Sequence, residues 1–186
     1  MHIKKTCFSS LFLSLAAVVV LYGCGDPEPI SETPQADSPT AGTEIVEASP
    51  TNYSVNLDEK GRALRGNDPV AYFTDGEPLV GDAEFTFQWN DAEYYFANAE
   101  NRDAFINDPE KYAPANGGYC TFGVVLAKKF DGDPTVWSVH NDRLHVFLNQ
   151  DVKEKFLQDE TGNLNRVAEN WPVIRDKSPE ELEAAG

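Results

Sequence analysis

The 186-residue sequence contains only three cysteines, and its 15 basic residues are outnumbered by 31 acidic ones. A formal charge of -16 repels phosphate backbones, so we expect no nucleic-acid partner. The length allows one ordinary domain with extensions, and a hydrophobic content of 41% is too high for a wholly disordered chain. No phosphate-binding glycine loop, Gly-x-Ser-x-Gly elbow or internal repeat is recognisable in the sequence, so phosphoryl and acyl transfer have no support.

Residues 1–23 have the pattern of a secretory signal peptide, with a short basic start and an apolar run over residues 11–21. The run is too short for a comfortable membrane span. It ends at Leu21-Tyr22-Gly23-Cys24, which resembles the lipobox of bacterial lipoproteins. The resemblance implies that Cys24 is acylated, with a fatty acid such as palmitate, and becomes the first mature residue. The alternatives are an ordinary cleaved signal or an uncleaved anchor, with Cys24 as a bystander.

Residues 24–52 are predicted to form a disordered tether after the lipidated cysteine. The stretch contains five prolines, six acidic residues and no basic residue, so it cannot bury enough apolar surface to offset ordering. Gly25 after the cysteine implies, by resemblance, the periplasmic face of the outer membrane if the cell is Gram-negative. Residues 53–176 are predicted to be globular, and residues 177–186 are expected to fray. With Cys7 lost and Cys24 acylated, only Cys120 remains, so the domain can form no internal disulfide.

Alternating aromatic residues predict a β-hairpin around Asn90-Asp91, a dipeptide that suits a two-residue turn. This turn sets a register in which five rings share one face, with the pairs Trp89 and Ala92, Phe87 and Tyr94, and Phe85 and Phe96. A helix that begins after Asn98, a good N-cap, and stops at Asp108-Pro109 is expected to cover that face.

Three segments resemble the YHS domain, a short module found in bacterial proteins and in some heavy-metal transporters. They are Asp68-Pro69-Val70, Tyr94-Tyr95-Phe96, and Phe105 with Pro109-Glu110-Lys111-Tyr112, in matching order and spacing across about residues 66–114. Metal-associated members of the family carry cysteines where this chain has Ala71, Ala97 and Asn101, so the resemblance implies the framework rather than that metal site. The implied fold is α+β, with small antiparallel hairpins packed against short helices.

The segment after Gly117-Gly118 carries the only free thiol. It is predicted to form a short buried helix with Cys120 in its first turn, where the helix dipole favours a thiolate. The alternative is an inert buried cysteine, which is common. Tyr119 and Trp137 are candidate walls of a ligand pocket near Cys120.

A second hairpin is predicted around Asn141-Asp142, and it places His140 and His145 as diagonal neighbours on the face away from the core. Two imidazoles and the Cys120 thiolate form a candidate metal site, for which Zn or Cu is the expected ion. The alternative is a pair of solvated histidines on a polar face. Two short helices, the first ending before Gly162 and the second at Pro172, are expected to cap this hairpin.

The sequence therefore predicts a lipid-anchored, extracytoplasmic binding or accessory module of the YHS type, taking a metal or a small ligand near Cys120. No catalytic constellation is recognisable, so an enzyme is not expected. One alternative is a structural or partner-docking envelope lipoprotein without a ligand. A less favoured alternative is a thiol enzyme that uses Cys120 as its nucleophile.

Overall fold

The computed structural model describes residues 52–185, so the predicted signal peptide, Cys24 and all but the last residue of the predicted tether lie outside the described residues. Within residues 52–185, no helix combines the length and apolarity needed to cross a bilayer. The elements, in chain order, are α1 Ala71–Thr74, β1 Asp82–Trp89, β2 Ala92–Phe96, α2 Ala99–Asn107, α3 Pro109–Tyr112, α4 Thr121–Val125, β3 Asp133–His140, β4 Arg143–Phe147, α5 Gln150–Leu157, α6 Glu160–Ile174 and α7 Pro179–Ala184. Two antiparallel hairpins packed with short helices confirm the α+β prediction.

The first hairpin, β1 and β2, has the predicted turn. Asn90 and Asp91 both adopt positive φ, which is the geometry of a two-residue turn that matches strand twist. Trp89 pairs with Ala92 and Phe87 with Tyr94, as predicted. The predicted pairing of Phe85 with Phe96 is wrong because a bulge intervenes, and Asp82 pairs with Phe96 instead.

Local hydrogen bonding explains the bulge. The Asp82 Oδ1 atom accepts a hydrogen bond from the Glu84 backbone N–H at 2.9 Å, which turns the start of the strand away from a regular ladder. Gly81 precedes it, and a Cβ atom there would lie 2.5 Å from the Tyr95 Cβ atom. All five predicted rings nevertheless join one apolar cluster, built around Phe105 of α2. The Asn98 Oδ1 atom accepts from the Asn101 N–H at 2.8 Å, which confirms the predicted cap.

The chain contains an internal structural repeat, and the sequence-based prediction of none was wrong. A constant offset of 51 residues relates β1 to β3 and β2 to β4, and it also relates the starts of α2 and α5. We call residues 64–114 the first motif and residues 115–165 the second. Nine residues are identical at this offset, and they occupy turns, caps, bulges and core: the pairs 66/117, 81/132, 82/133, 90/141, 91/142, 96/147, 98/149, 105/156 and 108/159.

The second motif reproduces the irregular features of the first. Its strands carry a bulge between Asp133 and Trp137, and the Asp133 Oδ1 atom accepts from the Thr135 N–H at 2.8 Å. The Asn149 side chain caps α5 as Asn98 caps α2. A Cβ atom at Gly132 would lie 2.4 Å from a Val146 methyl group, which matches the close approach at Gly81. Shared irregularities of this kind identify two copies of one fold, not two unrelated hairpins.

The two motifs differ in how their hairpins are covered. The predicted pairing of β3 and β4 is confirmed, with Ser138 opposite His145 and His140 opposite Arg143. One face of this hairpin packs through Leu144 and Val146 against Leu64 and Tyr72 of the first motif. The face that carries the histidines was expected to lie away from the core, but α5 packs on it and α6 borders the remaining cleft, so His145 is only 5% exposed.

Helix α6 is longer than predicted at both ends. The Asp159 side chain accepts from the Gly162 N–H at 3.2 Å, so the helix starts before Gly162. Pro172 lies inside it and does not end it. A proline in a helix interior costs about 3 kcal/mol, and burial of Ile174 in the second core offsets this cost to a large extent.

The end of the chain is ordered, and the prediction that residues 177–186 fray was wrong for its described part. Ser178 and Glu181 form a capping box at the start of α7, with hydrogen bonds of 3.1 Å and 2.8 Å. Leu182 is buried in the second core, and its carbonyl accepts from the Lys128 ammonium group. A cap and a buried anchor together are enough to hold a short terminal helix.

Candidate functional site

The residues predicted to form a pocket around Cys120 do not come together. Tyr119 packs against Trp171 in a tilted arrangement, with ring centroids 6.3 Å apart, and lines a cleft with Tyr53 and Pro179. Trp137 packs edge-on against Tyr72 at 5.1 Å, in the core between the two motifs. Cys120 is 1% exposed and belongs to the second apolar cluster. Tyr119, Trp137 and Cys120 therefore lie in three separate environments and do not form the pocket predicted from the sequence.

Cys120 occupies the position that Asp68 holds in the first motif, at an offset of 52 residues because the loop before the hairpin is one residue shorter in the second motif. The Asp68 N–H donates to the Leu79 carbonyl and the Cys120 N–H to the Phe130 carbonyl, both at 2.8 Å. The side chains then accept from equivalent backbone groups, since the Ala97 N–H donates to Asp68 Oδ2 and the Leu148 N–H donates to Cys120 Sγ at 3.2 Å. Cys120 is the N-cap of α4 instead of lying in its first turn. The Cys120 sulfur therefore has a structural role, and its burial argues against a role as a reactive nucleophile.

The two histidines lie at positions where the first motif has aromatic side chains. In the first motif, Trp89 and Tyr94 lie against Phe105 at 6.0 Å and 4.7 Å. The equivalent residues of the second motif are His140 and His145, which lie against Phe156 at 5.7 Å and 6.5 Å. Two apolar or amphipathic rings are thus replaced by two titratable imidazoles. The first motif demonstrates that the fold does not require histidine at either position.

His140 has both ring nitrogens occupied. Its Nδ1 lies 2.9 Å from a Glu160 carboxylate oxygen, and its Nε2 lies 2.7 Å from the Ser138 hydroxyl. Because a carboxylate can only accept, Nδ1 carries a proton. Glu160 and Ser138 therefore hold this ring in one orientation.

His145 is held neutral with one free nitrogen. Burial is the largest influence and lowers the pKa of His145 to about 4, with smaller contributions from His140 and Arg143. Its Nδ1 lies 3.2 Å from the Thr121 hydroxyl, which itself accepts a long contact of 3.4 Å from the Asn116 amide. Among the described residues the hydroxyl proton has no other acceptor than Nδ1, so we assign the imidazole proton to Nε2. Among residues 52–185, Nε2 has no hydrogen-bond partner.

A cleft of about 310 Å³ adjoins the two imidazoles, and we call it the histidine pocket. Polar groups of four residues besides His145 border it: His140, Asn116, Asn141 and Arg143. Its apolar wall comes mainly from α6, through Leu164, Val167, Ala168 and Trp171. An apolar cleft with a few converging donors is the usual form of a small-molecule site.

The predicted metal centre of Cys120, His140 and His145 is not assembled. The two imidazole centroids lie 5.6 Å apart, but the sulfur is sealed in the core beside Phe147 and Phe156. Nowhere in residues 52–185 do three or more His, Cys, Asp or Glu side chains converge as metal ligands would. The physical reason is that Cys120 points into the core as the counterpart of Asp68.

Sequence analysis missed Thr121, Asn116 and Arg143 as members of the site. Asn116 lies in an irregular turn and Thr121 begins the short helix that follows it, where a linear pattern carries little information about side-chain direction. When the sequence is aligned with itself at an offset of 51 residues, Arg143 matches Ala92, which is buried in the first motif. An arginine in place of a buried alanine indicates that the surroundings of this position differ between the two motifs.

No family model matches the chain, and neither a curated protein nor a solved structure is significantly similar to it.

Proposed function

We propose that this protein is a lipid-anchored, extracytoplasmic binding module of the YHS type, and that the histidine pocket takes a small organic ligand. The observation that carries the proposal is His145, a buried neutral imidazole whose Nε2–H borders the pocket. This N–H has no partner among residues 52–185 and is not one of the fully buried polar atoms, so it is accessible from the cleft to a ligand that accepts from it.

The pocket chemistry defines the class of ligand. His145 Nε2–H, the Asn116 amide and the Arg143 guanidinium are donors, which favours a ligand with a carbonyl or carboxylate acceptor. Leu164, Val167 and Trp171 provide an apolar wall, which favours a ligand with a flat or aliphatic body. A volume of about 310 Å³ is near the lower end of the range for ligand sites and suits a single-ring compound.

Binding of benzamide and toluene tests this proposal, because only benzamide carries an acceptor. We expect benzamide to bind more tightly than toluene by about fivefold to tenfold, which corresponds to one net hydrogen bond. The substitution His145→Phe keeps a ring of similar size but removes the donor, so the preference is expected to disappear. Titrations followed by the NMR shifts of the Trp171 indole and the His145 imidazole measure both quantities.

Tyr94→Phe is the matched control, because Tyr94 is the equivalent of His145 in the first motif. This variant is expected to retain the benzamide preference. Absence of saturable binding by either probe, or an unchanged preference in His145→Phe, would contradict the proposal.

Acylation of Cys24 carries the membrane-anchoring part of the proposal. In cells labelled with palmitate, we expect the full chain to be labelled and to sediment with membranes. The Cys24→Ser variant is expected to lose the label and appear in the soluble extracytoplasmic fraction, whereas Cys120→Ser is expected to behave as the parent protein. A Cys24→Ser protein that remains fully in the membrane pellet would argue for an uncleaved anchor.

Partner docking is a second candidate function, and one surface feature favours it. Leu126 and Val173 are 56% and 63% exposed and border the same groove, beside the buried Leu182. Exposed apolar side chains that share a groove are typical of contact surfaces. This candidate takes precedence if the histidine pocket binds neither probe.

A further inference from the structure

A second cleft, of about 140 Å³, lies between the turn of the first hairpin and α6. Arg143 and Arg175 both border it, together with the polar side chains of Ser54, Asn90 and Asn116 and the indole of Trp171. We call it the arginine pocket. No aspartate or glutamate is among its lining residues.

The two arginines give this lining a positive charge in a chain whose acidic residues outnumber its basic ones by 31 to 15. Two guanidinium groups at one small cleft therefore form a local positive region on an acidic protein. Clefts lined by one sign of charge concentrate ligands of the opposite sign.

The Arg143 guanidinium is held in place but incompletely paired. Its Nη1 donates to the Glu110 carbonyl at 2.8 Å, and its Nη2 has a long contact of 3.4 Å with the Ala113 carbonyl. Its Nε is buried and has no hydrogen-bond partner in the part of the chain that the structure describes. Over the same residues, no carboxylate lies within 4.0 Å of this guanidinium.

The fold does not need an arginine at this position. The equivalent residue of the first motif is Ala92, which is fully buried at the end of the same turn. Replacing a buried alanine by a cation with an unpaired Nε–H adds a desolvation cost and no compensating described partner. A ligand that accepts from the guanidinium accounts for that cost.

Arg175 supplies the second positive group from the C-terminal end of α6. Its side chain is about half exposed, and its only ion pair with another residue of the described range is a surface contact of 3.1 Å from Nε to Asp176, the next residue. Exposed pairs of this kind contribute little and leave the two Nη groups available. Guanidinium groups match the oxygen geometry of phosphate, sulfate and carboxylate.

We propose that the arginine pocket binds a small oxyanion, either free or as the acidic group of a larger molecule. The Arg143 guanidinium and the Arg175 Nη groups are the principal donors, and the Asn116 amide is a further one. The pocket shares Asn116, Arg143 and Trp171 with the histidine pocket, so an acidic group bound here lies next to the proposed organic ligand. The oxyanion site itself does not depend on the proposed function.

The test is titration of the folded protein with inorganic phosphate at low ionic strength, followed by the NMR signal of the Arg143 Nε–H. We expect a saturable shift of this signal. Arg143→Gln is expected to weaken phosphate binding at least about tenfold and Arg175→Gln about threefold, as expected for buried and exposed charged donors. Arg102→Gln removes the same charge at an exposed pair with Asp103 and is expected to change nothing.

Each outcome of these titrations either supports or contradicts the proposed oxyanion site. The threefold weakening in Arg175→Gln, whose side chain is about half exposed, supports it even if Arg143→Gln unfolds. Equal weakening in all three variants, or no saturable shift, would overturn it in favour of net-charge effects. His145→Phe is expected to keep phosphate binding, so failure of the histidine pocket remains distinguishable. Phenyl phosphate that binds more tightly than phosphate and also shifts the His145 imidazole signals identifies the acidic group of a larger ligand, and equal affinities identify a free anion.

Discussion

The Asp68→Ala variant is expected to lose about 4 kcal/mol of its free energy of unfolding, or not to fold at all. Asp68 is fully buried, and its two oxygens accept four hydrogen bonds, from the backbone N–H groups of Val70, Ala71 and Ala97 and from the Asn101 amide. Removing the carboxylate leaves these buried donors unpaired, at about 1–3 kcal/mol each before relaxation and water entry. Urea unfolding measures the loss.

Two matched variants serve as controls for the Asp68→Ala measurement. Asp75→Ala removes an exposed carboxylate nearby and is expected to cost less than about 0.5 kcal/mol. Cys120→Ala is expected to cost about 1–2 kcal/mol, because the sulfur accepts a single N–H, from Leu148. Equal costs for Asp68→Ala and Cys120→Ala would contradict the structural role assigned to the two equivalent positions.

Acidification from pH 7 to pH 4 is expected to reduce the free energy of unfolding by about 3 kcal/mol through His145 alone. Its pKa is about 4 in the folded protein and about 6.5 in the unfolded chain. Between these values the unfolded chain binds the proton first, so stability is lost as the pH falls through this window. Above about pH 6.5 both states hold the neutral ring, and the contribution is constant.

Comparison with His145→Phe isolates this residue from the many carboxylates that titrate in the same range. The difference in unfolding free energy between the parent protein and the variant is expected to change by about 3 kcal/mol from pH 7 to pH 4, in favour of the variant. His140, Glu160 and Arg143 remain in both proteins. Parallel pH profiles for the two proteins would show that His145 is not held neutral by burial.

The hairpins were predictable because their signals are local. Asn-Asp dipeptides accept positive φ at both positions, and the flanking residues alternate, so the turns and the central pairings were found correctly. The bulges were not predictable from alternation, since they depend on side-chain contacts of Asp82 and Asp133 with the backbone two residues ahead. The cap at Asn98 was found because capping also acts within three residues.

Features that depend on distant packing could not be predicted. The histidine face looks polar along β3 and β4, and only the position of α5 and α6 shows that it is buried. A proline ordinarily ends a helix, but α6 continues through Pro172 to Ile174, which is buried. The repeat escaped notice because only nine residues are identical at the offset, although they hold the turns, caps and bulges that define the fold.

The most direct test of the account is the proton position on the His145 imidazole in the folded protein. Nitrogen NMR of the histidine rings at pH 6 distinguishes neutral from charged rings and Nδ1–H from Nε2–H. The account predicts a neutral His145 with its proton on Nε2, and a shift of that nitrogen when benzamide is added. A charged ring, or a neutral ring with its proton on Nδ1, would remove the donor on which the proposed binding function rests.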